Sequence, residues 1–583
     1  MQRKFSRFFL LVSGLLLTSL AIFAESWGLD YHAGWGRGRS LIFVTGLCLI
    51  LICLFFTQIE ALAEGVRTRF LELLQREPFH NLLEAHPAVV ESAKTIWKYR
   101  FVIPAVGFVL VVYVWFISVG LWTTWPARSA YYSMLARGFL KHELSLPVEP
   151  SKELLALSNP YDPAQRATVN KVPLDFSLYQ GKFYLYWGPV PALILAALKL
   201  LIPKDLPDLY LVFVFSCGLF LWQTQLVISI WDRYFQNLPK WILVMLLLLV
   251  GLSVPSVWML GRAEIYEAAI LGGQFFVIAG FSAALSAVMR KPSADFKLVI
   301  AGISWSLAIG TRLTLVLPIG FLMLMVIYQL CMNPPFSFGN LLRKALYLGS
   351  PVAIGLALLA WYNWARFGSL SETGFAYQLA GTYIQKHLHE VMSYRYVVQN
   401  IYNYFLVPPQ MHDQFPFVFS NGGNIQSILP FLDLPDFYNT NPVTGLIYTV
   451  PFIFFSALST FKRHPSSEQG IQSPKIDSQF IWVTRTLAGC ILIALVFLLV
   501  FFWAAMRYVM DFMPMLMLLS IIGYCQGYTS AKARGWERYM VAAGILIVGL
   551  SISVSLLLGI SSSLKLFERK NPALLSWFIE LFG

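Results

Sequence analysis

The chain has 583 residues; 57 % are hydrophobic, only 13 % are Asp, Glu, Lys or Arg, and the mean hydropathy is +0.64. A soluble domain carries roughly a quarter charged residues, so this much apolar surface needs lipid as its solvent, and the chain reads as an all-α polytopic membrane protein. The formal charge of +13 does not mark a nucleic-acid partner, because the basic residues gather at the ends of apolar runs, where the positive-inside bias puts them.

The first apolar run, about 8–24, follows Arg3, Lys4 and Arg7 and predicts an uncleaved helix with a cytoplasmic N-terminus. A second run covers about 40–57. Residues 58–100 carry Arg67, Arg69, Arg76, Lys94, Lys98 and Arg100 and predict a cytoplasmic amphipathic segment on the membrane surface. Residues 1–100 thus form two transmembrane helices and a segment able to dock a membrane-protein partner. A transmembrane domain follows over 101–564, then a C-terminal tail over 565–583. The helix at 101–121 leads to a first outer loop, about 122–188. Within it, 131–140 has the spacing of an interfacial helix, and Gln180-Gly181 predicts a tight turn between two aromatic-rich arms.

Further apolar runs lie near 189–203, 209–230, 241–260, 267–289, 298–317, 319–331, 343–364, 442–460, 481–505, 510–528 and 539–559. The run 189–203 is shorter than a ~30 Å hydrocarbon core requires. Were it to cross, the basic turns at Arg290-Lys291, Arg343-Lys344, Lys462-Arg463 and Lys532 to Arg538 would face outward. It therefore reads as half-inserted, which leaves about twelve transmembrane helices and a second outer loop over about 365–441.

The charged residues expected on the outer face are the candidate site. Asp162, held between Pro160 and Pro163, and Asp175 lie in the first loop beside Lys182, and Gly188 is small enough for a ligand to approach the 189–203 helix start. Arg262, Glu264 and Glu267 interrupt an apolar region, where an ionisable group must pair or face water. Arg312, Arg366 and the pair Arg507 and Asp511 sit at outer helix ends and suit an anionic ligand or an ion pair. His387 and His389, and His412 beside Asp413, leave a divalent cation open as a cofactor without placing one. The six cysteines lie in or beside apolar runs and form no disulfide or zinc framework. Arginines that hold a phosphate, carboxylates that deprotonate a hydroxyl and aromatics that meet a sugar together suit an enzyme using a lipid-linked sugar.

Gly181 to Pro191, Gly302 to Arg312, Tyr362 to Gly368 and Arg507 to Pro514 resemble phrases of the polyprenyl-phosphate-dependent GT-C superfamily of integral-membrane glycosyltransferases, notably the aminoarabinose and protein O-mannosyl transferases. That resemblance covers about residues 100–530. It implies an extracytoplasmic active site in the inner (plasma) membrane and transfer of a hexosyl or pentosyl group from a polyprenyl-phosphate-linked sugar to an envelope glycan, lipid or protein. The superfamily places an acidic base just after the helix entering the first outer loop. Leu121 to Tyr132 contains no carboxylate, so either Asp162 or Asp175 takes that role or the activity is altered. A non-catalytic carrier of lipid-linked glycan, an envelope-assembly subunit and a solute transporter remain the alternatives.

Overall fold

The computed structural model describes residues 2–24, 37–54, 98–289, 294–332, 337–423, 425–431, 433–460 and 474–582. Most of the expected amphipathic segment (58–97) and the basic turns at 290–291 and 462–463 lie outside the described residues. The chain divides into two compact units, one of residues 1–126, 413–415 and 563–583, the other of residues 127–412 and 416–562.

In the smaller unit the helices Gln2–Phe23 and Arg37–Leu54 form a close pair. A Cβ on Gly46 would lie 2.5 Å from Thr18 Oγ1, and one on Gly14 would lie 2.8 Å from Ile50. Small residues permit this approach, in which backbone packing replaces the missing hydrophobic drive inside lipid. Arg39 donates to the carbonyls of Ala21 (2.6 Å) and Ile22 (2.9 Å), placing positive charge at the C-terminus of the first helix. The 18-residue span Arg100–Ile117 follows. The tail forms two helices, Leu564–Lys570 and Pro572–Phe582, tied back by Asn571 Nδ2 donating to Val119 O at 3.0 Å.

Among the described residues nine helices are long and apolar enough to cross a membrane, and eight belong to the larger unit: Asp208–Tyr234, Lys240–Leu260, Ile265–Val288, Ala294–Thr311, Leu313–Met332, Phe338–Phe367, Ser478–Leu499 and Glu537–Ser562. Two expected spans take other forms. Met513–Ala533 is a 21-residue helix, but Tyr524, Gln526 and Tyr528 dilute its apolarity, and nearly its whole circumference is buried in protein. The run 442–460 becomes the short helix Leu446–Thr449 and a 3-10 segment, Pro451–Thr460. Its wall is tight, since a Cβ on Gly523 would sit 1.8 Å from Phe455 O. Because 3-10 geometry rises about 2.0 Å per residue against about 1.5 Å for an α-helix, this thinner segment covers more depth per residue.

The run 189–203 forms only the helix Val190–Lys199, 10 residues, or about 15 Å, half the hydrocarbon thickness. Leu200 and Leu201 beyond it are 75 % and 81 % exposed, an apolar tip fit for lipid. A Cβ on Gly188, just before this helix, would lie 2.2 Å from Gly310 O. The approach that the glycine permits is therefore to the end of the 294–311 helix, not to a ligand.

Antiparallel connections gather the larger unit's charged turns at two ends. At one end Arg233 donates to Gln479 and Arg343 pairs with Asp295 at 3.4 Å. The helix starts at Lys240 and Glu537 lie at this end too. At the opposite end lie Asp175, Glu264, Arg312, Arg366, Arg507 and Asp511. There the first loop carries the hairpin Ser177–Tyr179 and Lys182–Tyr184, in which Tyr179 pairs with Lys182 across Gln180 (φ 47°) and Gly181 (φ 71°). Two positive φ values give the turn whose twist matches the strands. The second loop is pinned by Asn400, whose Nδ2 donates to the carbonyls of Leu498, Leu499 and Phe501 at 2.9–3.0 Å, closing the exposed end of the 478–499 helix.

Asp208 opens the 208–234 helix with 0 % exposure and caps a neighbour. Its carboxylate accepts from Ser129 Oγ (2.6 Å) and from the backbone N–H groups of Tyr131 (2.9 Å) and Tyr132 (3.1 Å), which start the helix Tyr131–Leu140. One carboxylate therefore fixes the first loop to the bundle. Asp208→Ala is expected to lower the unfolding free energy by at least about 2 kcal/mol, because two buried helix-end donors lose their acceptor. Glu149→Ala, at an exposed carboxylate elsewhere in the first loop, should change it by less than about 0.5 kcal/mol. Thermal melts of detergent-solubilised protein compare the two.

Candidate active site

Asp175 is a non-glycine residue at φ 64°, a backbone conformation that costs about 1 kcal/mol or more unless its surroundings enforce it. They do. Asp175 N donates to Leu379 O at 3.1 Å, and Leu379 N donates to Phe176 O at 2.8 Å. Its side chain is bound from two further directions: Tyr266 Oη donates to Oδ2, and Gln378 Nε2 donates to Oδ1 at 2.7 Å. The first loop, the second loop and the start of the 265–288 helix thus meet on one carboxylate that is 9 % exposed. Burial pushes the Asp175 carboxyl above its ordinary value of 3.8, against the pull of the Tyr266 and Gln378 hydrogen bonds and the Arg507 and Arg166 charges.

From Tyr266 the contacts continue as a ladder of rings and guanidinium groups. Arg507 lies over the Tyr266 ring at 4.5 Å and over the Tyr508 ring at 5.2 Å; Arg312 also lies over Tyr508, at 5.4 Å. Arg312 then forms an ion pair with Asp511. Gln274, two turns below Glu267 on the same helix, donates to Asp511 O at 3.2 Å. Trp187 meets the Tyr266 ring edge-on at 5.3 Å and is stacked with Tyr186 at 4.1 Å, which walls the cluster from the first-loop side. Arg507 is 6 % exposed, and its Nε has no hydrogen-bond partner among the described residues. A nearly buried guanidinium with an unused donor is equipped for an anion.

Glu264 and Glu267 form a reciprocal capping box at the start of the 265–288 helix, with Glu264 N donating to Glu267 Oε2 at 3.3 Å. Arg128 adds an ion pair to Glu264 at 3.4 Å. Glu267 is fully buried; its Oε1 has no partner among the described residues, and Arg507 and Arg262 supply the neighbouring positive charge. Arg262 itself lies over Trp258 at 5.8 Å.

The remaining candidates are engaged elsewhere. Arg366 donates to Leu185 O (2.7 Å), Tyr362 O (3.3 Å) and Asn363 Oδ1 (2.9 Å), and its guanidinium lies 3.8 Å over the Tyr362 ring. It clamps the far arm of the hairpin to the end of the 338–367 helix. Asp162 caps the helix Pro163–Arg166 through Ala164 N at 2.9 Å. Lys182 is exposed at the start of its strand. Among the described residues no three His, Cys, Asp or Glu side chains group as a metal site. His387 and His389 both contact Glu390, at 3.0 and 3.3 Å, and His412 packs on Phe419 at 4.6 Å.

Sequence reasoning did not single out Tyr266, Gln378, Tyr508, Gln274 or Asp208. Tyr266 stands between Glu264 and Glu267, so its position carried a signal. Gln378 carried none, because its partner Asp175 lies 203 residues away.

No protein-family model and no curated protein matches the chain. Among solved structures it is similar to the apo crystal structure of the oligosaccharyltransferase of Archaeoglobus fulgidus, with 12 % identity, a TM-score of 0.40, and coverage of 80 % of this chain and 56 % of that one. Its own long apolar helices make the chain an all-α, multi-pass membrane protein.

Proposed function

We propose that the chain is a glycosyltransferase that moves a sugar from a polyprenyl-phosphate donor to an envelope glycan, lipid or protein acceptor on the extracytoplasmic face of the membrane. The observation that carries this reading is the junction of Asp175 with Arg507 through one residue, Tyr266, at the mouth of an apolar bundle. A transferase of this kind needs a base for the acceptor hydroxyl and a cation for the departing phosphate, side by side and partly shielded from water. Asp175, with its basicity raised by burial, takes the hydroxyl proton as the acceptor oxygen attacks the sugar's anomeric carbon. The bond from that carbon to the phosphate oxygen breaks, its electron pair leaves on the polyprenyl phosphate, and Arg507 and Arg312 stabilise the added negative charge. Glu267 balances Arg507 from below. The outward orientation is supported by Arg233, Lys240, Arg343, Lys344, Lys532, Arg534 and Arg538 at the opposite end, since basic residues favour the cytoplasm.

Purified protein in lipid nanodiscs, supplied with polyprenyl-phosphate-linked hexose or pentose, tests the chemistry. Asp175→Asn is expected to lower transfer by about 10²- to 10⁴-fold, while Asp162→Asn retains it. If wild-type protein transfers no sugar and the Asp175, Asp162, Glu264 and Glu267 variants all complement in cells, the carrier reading replaces the enzyme.

The same substitution has a signature in stability. A carboxyl whose folded pKa is raised loses stabilisation as pH climbs from its unfolded value towards the folded one. Wild-type protein should therefore become less stable as pH rises from the ordinary 3.8 to Asp175's raised value, and Asp175→Asn should remove that slope. Melting curves across this window measure it; identical slopes in both proteins would show that Asp175 is not the shifted group.

For orientation, a membrane-impermeant maleimide should label Lys182→Cys in intact cells and Lys532→Cys only after permeabilisation. Labelling of both from outside would reject the proposed face.

A further inference from the structure

The second loop holds a cavity of about 260 Å³ beside the Asp175 cluster, lined by Thr382, Tyr383, His387, Asp436, Phe437 and Asn439 among others. None of these residues takes part in the transfer step above. Phe437 stacks with His387 at 4.8 Å and with Phe502 at 4.6 Å, which gives the cavity a wall of flat rings. His387 Nδ1 is held 3.0 Å from Glu390 Oε1, and Nε2 has no hydrogen-bond partner among the described residues. Thr382 Oγ1 is buried with no hydrogen-bond partner among the described residues. Asn439 accepts from Thr440 N through Oδ1 at 2.8 Å, and its Nδ2 donates to no partner among the described residues. Asp436 is exposed at the rim. Asn159 of the first loop donates to Tyr383 Oη, which fixes that wall.

This set of groups selects a ligand class. A free carboxylate, a hydroxyl, an amide and an imidazole nitrogen around flat rings match the alternating donors and acceptors of a sugar's hydroxyl groups. The rim carboxylate and a lining without Lys or Arg among the described residues disfavour phosphate, and an apolar ligand would strand the Thr382 hydroxyl. The volume lies just below the range of about 300–1,000 Å³ for drug-sized ligands, so it suits one ring and not a chain.

The cavity is also tethered to the reacting end. Gln378, which holds Asp175, stands three residues before Gly381, which lines the cavity. Three residues of chain span at most about 10 Å, the reach of one or two further sugar units. We propose that this cavity binds one saccharide ring of a glycan chain whose neighbouring units extend towards Asp175, so that the substrate is an oligosaccharide and not a lone sugar. Placing the neighbouring unit at a reacting centre rests on the transferase reading; sugar binding in the cavity does not.

The test is a glycan array printed with α- and β-linked mono- to tetrasaccharides of hexoses, hexosamines and uronic acids, probed with full-length protein in nanodiscs. Wild-type protein should be captured on chains of two or more sugars. Asp436→Asn and Thr382→Val should each lower capture at least tenfold while melting normally. Competition with a polyprenyl-phosphate-linked disaccharide separates the sources: displacement assigns the ring to the donor's glycan, and its absence assigns it to the acceptor. Absence of capture by wild-type protein, or capture that neither cavity variant weakens, overturns the proposal. Failure of the transferase reading would look different, as capture with no transfer.

Discussion

Two arginines set among apolar helices impose the constraint on which this end of the molecule depends. A guanidinium cannot be deprotonated out of difficulty, so each must be balanced where it stands. Tyr508 does this for both at once, with Arg507 and Arg312 over its ring, and the ladder ends in a carboxylate on each side, Asp511 directly and Asp175 by way of Tyr266. The contacts join the 265–288 helix, the end of the 294–311 helix, the 506–511 segment and the first loop. Removing one member would leave a neighbour's charge uncompensated, which is costlier than losing the attraction alone. The loops are therefore positioned by electrostatics, whereas the helices beneath them are positioned by packing.

That division explains what was legible in the sequence. Helices in lipid must satisfy their backbone internally and present apolar side chains, so length and hydropathy reveal them. The shortness of 189–203 was readable for the same reason, and Gln180-Gly181 was readable because only a few turns join so short a hairpin. The winding of the 442–460 run was not readable. Hydropathy reports that a segment is buried, not how it is wound, and the close wall at Gly523 is invisible until the partner is in place. For 510–528 the excess burial works in reverse: protein neighbours on every side tolerate tyrosine and glutamine that lipid would not.

Side-chain roles were less legible, since each depends on a distant partner. Arg312 and Asp511 are 199 residues apart, and nothing local distinguishes them from Arg366, whose partners are carbonyls and its own helix end. Asp208 illustrates the limit most clearly. The stretch 121–132 has no carboxylate of its own, yet the fold delivers one to Ser129, Tyr131 and Tyr132 from more than 70 residues away. It arrives with no exposed surface and its oxygens given to a helix start, so it supplies anchorage there.

Asp175 is the residue whose surroundings pull in opposite directions. Its backbone is strained, its carboxylate is nearly buried, and the donors from Tyr266 and Gln378 occupy one site on each oxygen. A carboxylate has about four acceptor sites, so these two donors do not saturate it. Burial raises its affinity for a proton, and the two hydrogen bonds and Arg507 oppose that rise. These opposing influences require three elements to meet on one side chain. The elements that hold Asp175 by its side chain and backbone, Tyr266 of the 265–288 helix and Gln378 and Leu379 of the second loop, are therefore as much a part of the proposed chemistry as the carboxylate itself.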